Sequence, residues 1–162
     1  MGEFNSLGAL ALHLAAQEAA LLASLHNGLE KCGKRLVSTM KAEIGHYQPG
    51  AGPFAAWADL AESTEEHKAK MGYPADAPLE ATGQMRDEFT HEVHGLECIA
   101  GSKDPKMVWH EFGTPKMPSR AVVGPAALTQ KEFIRRTIGK ATVAGLIGGQ
   151  AIHASLGYDG ET

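Results

Sequence analysis

The chain has 162 residues, a formal net charge of −4 and 21% charged side chains. That length suits a single domain able to bury a core, and that charge carries no basic footprint for sequence-specific duplex DNA binding by counterion release. Only Cys32 and Cys98 are present, far apart in sequence, so neither a disulfide framework nor a zinc knuckle is expected and a reducing compartment is the default. The start Met1-Gly2-Glu3-Phe4 is acidic, and the apolar stretch Leu7 to Ala16 is broken by Gly8 and His13. We therefore expect no export signal, no run approaching the ~20 apolar residues of a membrane span, and a soluble protein.

Ser6 is placed as an N-cap, and Leu7, Leu10, Leu14, Glu18 and Leu21 follow at helical spacing among alanines. From Leu22, the positions Leu25, Leu29, Cys32, Leu36, Met40 and Ile44 continue a stripe at steps of three and four. Glu30, Lys31, Lys34, Arg35 and Lys41 lie on its other side. Asn27-Gly28 is a possible weak point between two N-terminal helices, and Gly45 is a fitting terminator within residues 1–45. The stripe through Leu25, Leu29, Leu36 and Met40 reads as a core face.

Residues 46–84 form a long arm punctuated by Pro49, Gly50, Gly52, Pro53, Gly72, Pro74 and Pro78, with room for a short helix or two between Phe54 and Met71. Its aromatic content argues for an ordered arm pinned by Trp57, with a mobile, solvated stretch at Glu65 to Lys70. After Thr82-Gly83 the period changes to two. Met85, Asp87, Phe89, His91 and Val93 share one face, and His94-Gly95 turns the chain into Leu96 to Ala100, giving a hairpin over 85–101. A turn at Ser102 to Pro105 leads to the corner 108–120, and Ala121-Val122-Val123 reads as a third strand within a β region spanning 85–124. Pro125 suits the first position of a terminal helix over 125–147, beyond which 148–162 reads as a flexible tail. The expected class is α+β, with two or three helices packed on a small antiparallel sheet and a long central arm, in one domain.

The corner Val108-Trp109-His110-Glu111-Phe112-Gly113-Thr114-Pro115-Lys116-Met117-Pro118-Ser119-Arg120 is dense in residues that fix backbone shape. Prolines hold the segment after Gly113 extended, and a Glu111–Arg120 pair across the corner is sterically plausible. Among groups that carry chemistry, His91-Glu92-Val93-His94 has the wrong spacing for a zinc site, because residues three apart on a strand point to opposite faces. His110-Glu111 offers a base and an orienting carboxylate, with no nucleophile placed beside them by sequence. Gly145-Leu146-Ile147-Gly148-Gly149 lacks the Lys-Ser/Thr of a phosphate loop and reads as a helix terminator, and Lys131, Arg135, Arg136 and Lys140 form a basic stripe on the last helix.

Three anchors in order, over residues 36–128, resemble the neck and tail-completion (tail-terminator) proteins of tailed bacteriophages. They are Ile44-Gly45-His46-Tyr47-Gln48 with Trp57 beyond it; Pro78-Leu79-Glu80-Ala81-Thr82-Gly83-Gln84-Met85-Arg86-Asp87; and His110-Glu111-Phe112-Gly113-Thr114 with Pro118-Ser119-Arg120 and Gly124-Pro125-Ala126. Glu88 and Ala121-Val122-Val123 depart from the family pattern, which has Ser at the first place and bulkier residues at the second. The resemblance implies a structural virion protein, without catalytic residues, metal or cofactor, that forms a hexameric or dodecameric ring at the head–tail junction. Such a ring meets the tail tube protein and head-completion or adaptor proteins, lets DNA pass without sequence preference, uses no membrane, and is built in the host cytoplasm before residing in the virion neck or tail. Trp57, Thr82, Gly83, Arg86, Asp87, His110, Glu111, Phe112, Gly113, Thr114, Pro118 and Arg120 are then its shape-fixing and interface residues. Two alternatives are a small hydrolase or metalloenzyme using His91, His110 and Glu111, and a monomeric interaction module.

Overall fold

The computed structural model describes residues 6–147, and the expected tail 148–162 lies outside them. The fold is α+β: α1 (Leu7–Glu43), α2 (Glu62–Lys70), α3 (Gln84–Asp87), β1 (Phe89–His94), β2 (Glu97–Ser102), α4 (Lys106–Phe112), α5 (Val123–Thr129) and α6 (Lys131–Leu146). The sheet has two antiparallel strands, β1 and β2. The chain divides into two compact units. One comprises the described parts of 1–32, 93–98 and 132–162; the other comprises 33–92 and 99–131.

In the first unit, α1 begins as its sequence dictates, with the Ser6 hydroxyl accepting the Ala9 amide at 3.1 Å. It runs unbroken through Asn27-Gly28, because Gly28 serves packing and not a break. A Cβ on Gly28 would sit 2.9 Å from that of Ala141 on α6, so only glycine admits the two helices this closely. Near the same place the Ser24 hydroxyl donates to the Ala141 carbonyl at 2.8 Å. Toward its start α1 carries Leu7, Leu12, Leu14 and Leu22 exposed. It contains an 18-residue window apolar enough, and long enough, to cross a membrane, with none of that window buried. This corrects the expectation that no stretch is so long and apolar: leucines and alanines on one continuous helix outweigh Gly8 and His13. Cys32 is buried, and Cys98 lies close enough to act on it electrostatically, a proximity that the sequence separation hid.

In the second unit, the core gathers Met40 and Ile44 from α1, Trp57 from the arm, Phe89 from β1, Met107 from α4, Val122, and Ala126 from α5. The stripe on α1 is therefore a core face where it carries Met40, with half-buried Leu36 packed against the same core, while Leu25 and Leu29 are half-buried in the first unit. Phe89 is the buried residue of β1, and from His91 to His94 half-buried and exposed positions alternate, as a half-buried strand requires. Met85 to Asp87 are not strand but one turn of helix (α3), which follows Gly83 in the left-handed conformation at φ 82°. No third strand forms at Ala121-Val122-Val123; Val122 instead caps α5, and its side chain is fully buried. Pro125 is the third residue of α5 and not the first, and Gln130 separates that helix from α6, so the terminal helix is two helices. The arm is tied down by Tyr47, whose hydroxyl donates to Asp76 Oδ1 at 2.8 Å and accepts the Leu60 amide at 3.2 Å. Glu65 to Lys70 are helical in α2, and Lys68 is buried with its ammonium on the Ala77 carbonyl, so this helix is not wholly a solvated face.

Candidate functional site at the corner

Helix α4 carries the first half of the corner and ends at Gly113, whose φ of 75° and ψ of 177° an L side chain rarely adopts. A Cβ there would also lie 2.9 Å from the Ser119 amide nitrogen. The chain then folds back on itself. Thr114 and Met117 form an isolated antiparallel bridge with paired amide bonds of 2.9 and 3.1 Å, so Pro115 and Lys116 sit in a tight turn and not in the extended run expected of this proline-rich segment. The Arg120 amide returns to the His110 carbonyl at 2.7 Å, closing the loop on its own helix.

Glu111 and Arg120 do not pair with each other. The two oxygens of Glu111 accept the amides of Val122 (2.7 Å), Val123 (3.0 Å) and Gly124 (2.8 Å). These are the amides that the first turn of α5 leaves without helical partners, so a carboxylate from α4 satisfies the helix start electrostatically and by hydrogen bonding. Arg120 is buried and donates from Nη2 to the carbonyls of Ala58 (2.9 Å) and Asp59 (3.0 Å), fastening the arm to the corner. The expected ion pair fails because each group meets backbone partners first, and backbone groups are invisible to a search for opposite charges. Next to these, Trp57 is buried in this chain's own core, its indole N–H donating to the Ala121 carbonyl at 3.0 Å.

The second anchor forms a smaller cluster. The Thr82 hydroxyl accepts the Gln84 amide at 3.4 Å, the Asp87 amide returns to the Gly83 carbonyl, and Arg86 pairs with Glu80 at 3.1 Å. Pro118 lines an open cavity of about 430 Å³ together with His110 and Arg120. By contrast Phe112 is 80% exposed, and Trp109 and Val108 are each 58% exposed. Spacings of three and four put all three on one side of α4, a hydrophobic stripe facing solvent.

Several titrations are displaced. Glu43 is raised to about 7, first by burial and then by the charge of Glu111, and its Oε2 has no hydrogen-bond partner. His110 is lowered, by burial and then by the Arg120 charge, with Asp104 opposing and Lys106 adding to the lowering; its Nδ1 is buried without a partner. Glu111 therefore does not orient His110 as a base. His91 is half-buried and His94 exposed on β1, as their separation of three requires on a strand. Among the described residues no group of three or more His, Cys, Asp or Glu side chains is arranged to hold a metal ion. On α6 the basic stripe is partly answered, since Arg135 and Arg136 both bond Glu132 at 2.9 Å. Neither the Glu43 carboxyl nor the amide role of Glu111 has a signature in the sequence; both arise from residues brought together by packing. Comparison with protein-family models, curated proteins and solved structures gives no match, so function is argued from these residues.

Proposed function

We propose that this chain is a structural virion protein of a tailed phage, forming a closed ring at the head–tail junction that completes the tail and lets DNA pass. The observation that carries this reading is the construction of the corner. Its polar residues are directed to fixing backbone shape, through Glu111 on three amides and Arg120 on two carbonyls, while Val108, Trp109 and Phe112 are held out to solvent. A rigid scaffold presenting apolar anchors suits a packing surface between molecules, and repeated head-to-tail contacts close into a ring. The motif resemblance supplies the position in the virion and the partners, the tail tube and head-completion proteins.

The test is the mass of the full chain by light scattering, with electron microscopy of the particles, alone and with purified tail tubes. A defined hexamer or dodecamer supports the reading, and Phe112→Ser, at an exposed position, abolishes it while the monomer stays folded. A chain that remains monomeric at every concentration and ignores tail tubes overturns the reading.

A second reading rests on α1, whose unburied window is long and apolar enough to enter a membrane. Flotation of the chain with lipid vesicles favours that reading, and failure to float removes it.

A further inference from the structure

The cavity at the corner holds a buried cation, Arg120, that no carboxylate answers. Arg120, Lys68 and Lys116 line it, and Arg120 and Lys68 are 6% and 8% exposed. The hydrogen bonds of the Arg120 guanidinium end on neutral carbonyls, and its Nε is buried with no partner. A buried guanidinium that meets no carboxylate is costly. Burial lowers the Lys68 titration, but the charges of Glu80, Asp76 and Glu65 oppose that lowering, so Arg120 is the cation left unanswered. His110 lines the same cavity and offers a second unpartnered buried nitrogen, Nδ1. Against these stand two carboxylates, Asp59 and Glu80, and Glu80 is already paired with Arg86. The remaining wall is mainly apolar, with Leu60, Leu79 and Met117 its largest side chains and Thr64 its polar one.

We propose that this cavity binds a monoanionic carboxylate carried on an apolar group, with the carboxylate at Arg120 and Lys116 and the apolar part against Leu60, Leu79 and Met117. Both Nη2 hydrogens are spent on the Ala58 and Asp59 carbonyls, so a carboxylate meets the guanidinium at Nη1 through a charge-assisted bond, and its single negative charge suits a cation that no carboxylate answers. The carboxylates of Asp59 and Glu80 oppose a phosphate dianion in the same place. The shared chemistry has two sources, the acidic end or side chain of a polypeptide and a free small carboxylic acid. The site stands on its own geometry and does not depend on ring formation.

The experiment follows the Arg120 Nε–H resonance of the ¹⁵N-labelled full chain by NMR. Its probes are hexanoate, hexanol, inorganic phosphate, a short peptide ending in a free leucine carboxylate, and the same peptide amidated. A saturable shift with hexanoate or the acid peptide, absent with hexanol and the amide, is the expected result. Tighter binding of the acid peptide than of hexanoate assigns the polypeptide source, and equal or weaker binding assigns the free acid. Arg120→Gln risks the fold, so the deciding variant is Lys116→Glu, at an exposed position in the turn. It weakens acid binding by about tenfold or more, a charge reversed beside the ligand. The proposal is overturned if no acid shifts Arg120, if hexanol shifts it equally, if phosphate binds more tightly than the acids, or if Lys116→Glu binds them unchanged.

Discussion

Replacing Glu43 with Gln should make the protein more stable near neutrality and above. The carboxyl of Glu43 is raised from 4.5 to about 7, first by burial and then by Glu111, and one of its oxygens is enclosed without a donor. Between those two values the folded chain holds a proton that the unfolded chain has released. The stabilising contribution is therefore complete below about pH 4.5 and is lost as pH rises through about 7. Taken at face value, a shift of that size corresponds to about 3 kcal/mol. The side chain is half-buried, so water screens part of it, and ~1–2 kcal/mol is the working magnitude. Glutamine is nearly isosteric with the protonated acid and does not ionise. Urea denaturation followed by the fluorescence of buried Trp57 checks this, with both proteins compared at about pH 3.5 and about pH 8. Other titrating groups are common to the two proteins and cancel in the difference. Glu43→Gln should match the parent at the lower pH and exceed it by ~1–2 kcal/mol at the higher. A difference independent of pH, or a variant less stable than the parent at the higher pH, refutes the argument.

The remaining predictions concern the corner. Glu111→Ala strips three amides of their acceptor and should cost about 3 kcal/mol in denaturant stability, less than three separate charged bonds because water enters to replace them; a loss under ~0.5 kcal/mol would remove the capping role. Gly113→Ala meets both an unfavourable φ and the Ser119 backbone, and should lower stability by about 2–3 kcal/mol, read as a fall in Tm. Trp57→Phe keeps the apolar bulk but leaves the Ala121 carbonyl without its indole donor, for an expected loss of ~1–2 kcal/mol in the same denaturation assay. Phe112→Ser should leave monomer stability within about 0.5 kcal/mol, since the ring is solvent-facing, while altering any self-association seen by light scattering.

What the sequence by itself determined was local. Ser6 caps α1 because its side chain reaches an amide three residues on, and the two-residue alternation after Phe89 marks β1 because a pleated strand turns successive side chains to opposite faces. Gly113 read as a shaped corner for the same kind of reason, since a single residue's φ limits are a local property. Tertiary structure decided the rest. Gly28 looked like a helix break until Ala141 was packed against it, and Ala121-Val122-Val123 looked like a strand until their neighbouring amides met Glu111. Glu111 and Arg120 looked like partners because opposite charges are visible in a sequence, whereas the backbone groups that each one binds are present at every residue and carry no label. The raised carboxyl of Glu43 and the partly unanswered guanidinium of Arg120 have the same origin: burial and proximity belong to the folded chain, and the spacing of residues along it does not encode them.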